Sequence, residues 1–343
     1  MSELVDQLAD LTALRDRESL DDALLKTIND LLELDSAAIC RVLGEAGNER
    51  WLSCSEIQGG KIISARTSAW PELNSLPLLA AHPLRMQAHG SRHTVQTSGT
   101  PCCTVFPLSA SADCNGVLEI GAATPLSEES QRLVSGVLRL YLNFQGLLDY
   151  GERDALTELL NRKTFDGAFL KATIEQNLSV IGSQDDRRAV ATAGSYWLAM
   201  LDIDHFKRVN DNFGHLIGDE VLLLLARLMR SSFRFYDQLY RFGGEEFVVL
   251  MRCEEEVDAI RVLDRLRVTT EEYKFPQVGT ITISIGFSEV KIGDTPSGAI
   301  ERADKALYHA KSHGRNQVCS HAALVISGDL VEQAANIGDM ELF

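Results

Sequence analysis

Nothing in this 343-residue sequence reads as an export or membrane-insertion signal. The opening residues, MSELVDQLADLTALRDRE, are charged throughout. They offer no basic stretch ahead of an apolar core, so no signal peptide is expected. The most apolar runs, Tyr196 to Leu201 and Val221 to Ala226, fall far short of the ~18–20 residues that a membrane span needs. Basic residues are also scarce: 33 Lys and Arg stand against 49 Asp and Glu, a net charge of −16. So acidic a chain is a poor electrostatic partner for nucleic-acid backbone or anionic lipid. A cytoplasmic protein that binds neither nucleic acid nor membrane is expected. A small anionic substrate would need a cation and a few local Lys or Arg residues. The cysteines number seven, and no two are spaced as CxxC. That is neither a zinc-ligand pattern nor a secreted disulfide framework, and free buried thiols are favoured over a redox sensor.

What is present is ordinary globular material, 45% apolar and 24% charged, which excludes disordered and collagen-like classes. The length suggests about two domains. Leu24, Ile28, Leu31 and Leu32 fall at helical spacing. Ala37 to Val42 then reads as a strand, and Trp51 to Cys54 as its hairpin partner. The segment from Gly59 to Gly99 is weakly periodic and unassigned. Thr104 to Leu108 and Val117 to Gly121 read as two further strands, joined by a polar loop with Asn115-Gly116. An antiparallel sheet with flanking helices fits residues 1–125.

A helix over 126–152 follows. Ser127 is a good N-cap, and Glu128 and Glu129 suit the first turn. Leu133, Val137, Leu140, Phe144 and Leu147 lie at spacings of four, three, four and three, an a/d stripe of about two heptads. It serves either a parallel dimer or packing on the helix's own domain. Asp154-Ala155-Leu156-Thr157 is read as opening a new helix through Phe169. Gln176 to Ser195 reads as a mobile loop, and Trp197 to Leu201 as a central strand buried on both faces.

That strand ends in Asp202-Ile203-Asp204. Carboxylates at i and i+2 of an extended chain project to one side, a setting for a hard divalent cation such as magnesium. The competing reading has Asp204 capping the next helix. Further on, Tyr240 to Leu250 contains Gly243-Gly244-Glu245-Glu246 between strand-like flanks. A tight Gly-Gly turn suits a hairpin and lets a ligand approach the backbone. Acidic groups from two neighbouring strands can hold a metal between them, as in phosphoryl transfer.

These residues carry a family resemblance. Asp202-Ile203-Asp204-His205-Phe206-Lys207, Asn210-Asp211, Phe213-Gly214-His215, Gly218-Asp219 and Gly243-Gly244-Glu245-Glu246-Phe247 resemble the signature run of the GGDEF family, the diguanylate cyclases. Asp154 to Thr157 with Asn161-Arg162 resembles its opening motif. Ala303 to Lys311 with Gly314-Arg315-Asn316 resembles its closing helix. The likeness covers residues 153 to about 320 and leaves 321–343 as a tail.

The resemblance implies an α/β (α+β) fold, with a palm-like catalytic sheet flanked by helices. It implies condensation of two GTP into cyclic di-GMP with release of pyrophosphate, by a homodimer. Magnesium, or manganese in its place, is implied on Asp202, the Ile203 carbonyl and Glu245. Glu245 would also assist deprotonation of the attacking hydroxyl, and Glu246 completes the acidic tip. Lys207, Lys311 and Arg315 are implied to meet phosphates. Asn210 and Asp219 would read guanine, with Phe206, His215, Gly243 and Gly244 lining the pocket; the plainer reading of His215 is a packed or solvated histidine. Arg234 and Asp237 resemble an inhibitory product site, with Arg265 as a further member, where the plainer reading is a local salt bridge. The family usually has Gly where Glu158 stands, read here as a helix surface position. The first domain resembles a GAF-type sensory module by pattern alone. The rivals are a catalytically silent receptor for GTP or cyclic di-GMP, and a cyclase for another nucleotide.

Overall fold

The computed structural model describes the chain apart from residues 1, 15–16, 33, 45–46, 65–74, 100–101, 110–114, 183–193, 235 and 331–343. The chain forms two compact units, Met1–Gly151 and Glu152–Phe343.

The first unit begins with α1 (Ser2–Ala13) and α2 (Arg17–Leu32). Its strands are β1 (Ser36–Leu43), β2 (Arg50–Gln58), β3 (Lys61–Ser64), β4 (Val95–Gln96), β5 (Cys102–Ser109) and β6 (Asn115–Ala122), with α3 (Pro83–Ser91) before β4. They pair in the order β3-β2-β1-β6-β5-β4, antiparallel throughout. This is the antiparallel sheet read from the sequence, and the unassigned stretch supplies β3, α3 and β4. Leu20, Leu24, Leu25 and Ile28 form one buried stripe of α2, the pattern of a helix with a single core face. They pack with Ile39, Phe106, Leu118 and Ile120 on one side of the sheet. Cys40, Trp51, Val105 and Val117 point to the other side, with Ala88 of α3 over them.

The long helix α4 (Glu128–Glu152) starts where expected: Ser127 Oγ accepts from the Ser130 amide at 3.1 Å. Its apolar stripe is divided between two faces. Val134, Val137, Leu138 and Tyr141 are buried in the unit's own core. Leu140 and Leu147 are 47% and 68% exposed. Tyr141 OH donates to Asp21, which also pairs with Arg41 at 2.9 Å. Packing on its own domain therefore accounts for Val137 and Phe144 of the stripe and not for Leu140 and Leu147. The described cysteines are all free, and burial pushes the Cys40 thiol up to about 11 and Cys54 to about 12. Such thiols are poor nucleophiles.

The second unit holds β7 (Leu160–Asn161), α5 (Arg162–Gly182), β8 (Ser195–Ile203), α6 (Phe206–Phe213), α7 (His215–Ser232), β9 (Gln238–Gly243), β10 (Glu246–Cys253), α8 (Glu256–Glu272), β11 (Lys274–Phe275), β12 (Gly279–Thr280), β13 (Ile283–Glu289), α9 (Pro296–Ser312), β14 (Val318–Ser320) and α10 (His321–Ser327). The main sheet runs β14-β13-β8-β10-β9-β7. Its centre is antiparallel, and its edge strands β14 and β7 join in parallel. β8 is buried from Trp197 to Ile203, as a central strand covered on both faces must be. With period two, Ala199, Leu201 and Ile203 face α7 and α8 residues, whereas Leu198 and Met200 face Phe165, Phe169 and Leu307 from α5 and α9.

Two local readings are corrected. Asp154 to Thr157 forms a turn, and the helix starts at Arg162. Asp154 Oδ1 accepts from the Thr157 amide at 2.8 Å and its hydroxyl at 2.7 Å, which closes the turn. Glu158 is therefore not on a helix surface but in the left-handed region, φ 57°. Residues 176–182 belong to α5, and Gly194 already adjoins β8. The rest of the expected loop, 183–193, lies outside the described residues. Among the described residues no helix is long and apolar enough to cross a membrane.

Candidate active site

The period of β8 decides where its acids point. Asp202 shares a face with Leu198 and Met200, the face covered by α9. On α9, Ala303, Leu307 and Ala310 are buried against the sheet, and Lys311 lies one helical turn beyond Leu307. It reaches the strand end, where Lys311 Nζ meets Asp202 Oδ2 at 2.7 Å. Across the sheet, Glu246 of β10 is the register partner of Asp202, so its side chain lies on the same face.

Between β9 and β10 the chain reverses at Gly243 and Gly244, with φ of 142° and 54°. The turn leaves Glu245 half-buried beside Asp202. Burial pushes the Asp202 carboxyl above the usual carboxylate range despite Lys311, and Glu246 and Asp204 add to the rise. Burial and the neighbouring Asp202 raise Glu245 in the same direction. Asp202 is bonded to one ammonium, and Glu245 and Glu246 add negative charge beside it, an excess that a divalent cation would relieve.

Among the described residues no cluster of three or more His, Cys, Asp or Glu side chains is built to hold a metal. Two carboxylates and a backbone carbonyl nevertheless fit magnesium, which keeps several waters and takes substrate phosphate as ligand. Asp204 is not part of that set. It is buried and bonded to Thr282, Ser284 and Asn316, and it does not cap α6, whose first turn has no side-chain cap.

Phe206 is buried, Lys207 is exposed in the first turn of α6, and Asn210 is half-buried. Asn210 lies against Gly218 of α7, where an added Cβ would stand 2.0 Å from Asn210 Oδ1 and 3.3 Å from Phe206 Cζ. Only glycine leaves Asn210 its place. Asp219 follows Gly218 and is exposed, as is His215 at the start of α7. Arg315 is exposed on the turn after α9. The structure thus joins Asp202, Glu245, Glu246 and Lys311 in one cluster and Phe206, Asn210 and Gly218 in another.

Arg234 and Asp237 form a turn: the Arg234 amide donates to Asp237 Oδ2 at 2.9 Å. The guanidinium lies over the Tyr236 ring and donates to its hydroxyl at 2.5 Å. The carboxylate of Asp237 is largely withdrawn from solvent, with the backbone amides of Arg234 and Arg252 directed at it. Burial raises this carboxyl to about 6, against the pull of Arg234 and Arg265.

One residue of the site escaped the sequence reading. Arg241 of β9 donates from Nε and Nη2 to the Gly244 carbonyl at 3.1 and 2.8 Å, and from Nη1 to Asp154 Oδ1 at 2.9 Å. It braces the glycine turn against the unit's first turn. Burial opposes the charge on Asp154, but bonds from Thr157 and Arg241 hold its carboxyl below the usual range.

Residues 152–317 match the family model described as diguanylate cyclase, GGDEF domain. Response regulator PleD of Caulobacter vibrioides is 37% identical over 187 residues, covering 53% of this chain and 38% of that protein. Diguanylate cyclase DgcP of Pseudomonas aeruginosa is 40% identical over 168 residues, covering 48% of this chain and 23% of that protein. The chain therefore matches well under two thirds of the length of these curated relatives. The solved GGDEF domain of DgcB from Caulobacter crescentus, in complex with c-di-GMP, is 33% identical, with 50% of this chain and 96% of that one covered at a TM-score of 0.42. Residues 152–317 are thus a GGDEF domain of the diguanylate cyclase family.

Proposed function

We propose that the chain is a diguanylate cyclase, condensing two GTP into cyclic di-GMP and two pyrophosphates. The observation that carries this reading is the meeting of Asp202, Glu245 and Glu246 with Lys311 at the end of β8. In each half-reaction the 3′-hydroxyl of one GTP attacks the α-phosphate of the other and pyrophosphate leaves. Glu245, with its raised carboxyl, takes the hydroxyl proton. Lys207, Lys311 and Arg315 bear the charge growing on the phosphates. A magnesium or manganese ion on Asp202, Glu245 and the Ile203 carbonyl would supply Lewis-acid neutralisation of that charge.

Asn210 and Asp219 present an amide and a carboxylate to the base. Guanine has the N1–H and N2–H₂ donors that an acid requires and adenine has not, so GTP is preferred over ATP. Because one such unit presents one GTP, the working form is a homodimer. We assign 1–125 to a GAF-like sensory domain, 126–152 to a signalling helix, 153–320 to the cyclase and 321–343 to a tail. Arg234 and Asp237 bind the product and restrain its synthesis. The guanidinium of Arg234, held over the Tyr236 ring close to Asp237, supports this, since it can meet a phosphate or a guanine edge.

The rival silent receptor would retain binding without turnover, but the turn glycines and every acid of the cluster are present. Purified protein incubated with GTP and magnesium is expected to yield cyclic di-GMP by chromatography. Glu245→Ala is expected to lower kcat by about 10²-fold or more. Equal product from that variant would remove Glu245 from its assigned role, and no product from the wild type would favour the receptor.

A further inference from the structure

The second acid of Asp202-Ile203-Asp204 takes no part in the chemistry above, and its surroundings give it a different one. It is only 7% exposed. Its carboxylate accepts from Thr282 Oγ1 at 2.7 Å, from Ser284 Oγ at 2.7 Å and from the Asn316 backbone amide at 3.0 Å. Its own amide donates to the Thr282 carbonyl at 2.9 Å. Ser284 is the register partner of Asp202, so this bonded cluster and the catalytic acid share one face of the sheet.

The Asn316 bond is the informative one. Asn316 ends a run of three residues with positive φ: Gly314 at 111°, Arg315 at 62° and Asn316 at 45°. Two non-glycine residues in succession there are strained, because Cβ crowds the carbonyl oxygen. Something must hold them. The Asn316 amide is held by Asp204, and its side chain by Arg267 Nη1 at 3.0 Å. The Arg315 amide closes the end of α9 on the Ala310 carbonyl at 2.9 Å.

We propose that Asp204 is a positioning residue. It latches the turn after α9, and with it Lys311 and Arg315, to the cation-holding end of β8, and it is not a ligand of the cation. What that end of α9 binds rests on the cyclase reading. The chemistry requires an acceptor that can serve three donors. An asparagine retains much of it, because an oxygen in the place of Oδ2 still serves the Asn316 N–H and the Thr282 hydroxyl, while the Ser284 hydroxyl can rotate to accept from the amide. An alanine retains none.

The test uses the full chain, with a non-hydrolysable GTP analogue and magnesium titrated by calorimetry alongside cyclic di-GMP formation. Asp204→Ala is expected to weaken analogue binding roughly tenfold or more, with the magnesium half-saturation at saturating analogue within about twofold of wild type. Asp204→Asn recovers most of that loss. Asp202→Asn instead raises the magnesium requirement. An Asp204→Ala protein that shifts magnesium as Asp202→Asn does would make Asp204 a ligand and overturn the proposal. Wild-type analogue affinity in Asp204→Ala would overturn it as well. If that variant does not fold, Thr282→Val and Ser284→Ala each remove one donor, and smaller losses of analogue affinity are expected. No loss in either sinks the latch. A wild type that binds the analogue but forms no product defeats the catalytic reading, while the analogue comparison still decides the latch.

Discussion

Asp237 shows how one side chain can carry a pH response. Its carboxyl is raised to about 6 by burial. Between the ordinary value of 3.8 and about 6 the folded chain binds more protons than the unfolded one. On this group's account, stability therefore rises as pH falls through that window. Accepting from guanine needs the ionised form, so the affinity of the proposed product site moves the other way. The inhibition constant for cyclic di-GMP is expected to rise several-fold as the pH drops from about 7 to about 5. Arg234→Ala should abolish inhibition across that range. A pH-independent constant in the wild type would remove Asp237 from the product contact. Glu158 offers a second test at this scale. Its φ of 57° suits glycine, and Glu158→Gly should raise stability by about 1 kcal/mol in urea unfolding. The sequence showed that Glu158 departs from the family's glycine, but not the reason, because a backbone angle leaves no mark on residue spacing.

At the level of elements, the acids of the site were legible because their chemistry demands local spacing. Two acids ending a buried strand, and two after a glycine turn, fall within a few residues of one another. Arg241 was not legible. It joins Asp154 to Gly244 across a sequence separation of 87 residues for the ion pair, and no local pattern announces such a brace. Arg241→Ala removes all three donors and leaves the Gly244 carbonyl without them. It is expected to lower kcat by about tenfold and stability by about 1–3 kcal/mol. Asp154→Asn should act in the same direction and less than additively with it, since the two share one bond. Steady-state rates and urea melts of the single and double variants check this. Full additivity would show that the brace is not a unit.

Across the whole molecule, the chain divides into two compact units with one border at Gly151 and Glu152, where the sequence suggested borders at 125, 152 and 320. The stripe on α4 was the ambiguous part. A seven-residue repeat and a 3.6-residue repeat coincide over two turns, so the same leucines fit a partner helix or the home core. The fold gives Val137 to the core and leaves Leu140 and Leu147 outside. In the proposed homodimer the outer pair is the natural contact. Leu140→Asp with Leu147→Asp is expected to shift sedimentation toward monomer and to lower specific activity at micromolar protein, with little change in melting temperature. Retained dimer in that variant would place the contact elsewhere. The knot of bonds at Asp204 also constrains engineering. It gathers three stretches of chain that lie far apart in sequence, so a chimera grafting the final helix from a relative must import Thr282, Ser284 and the 314–316 turn as one block. Swapped piecemeal, those stretches would leave a buried charge facing strangers.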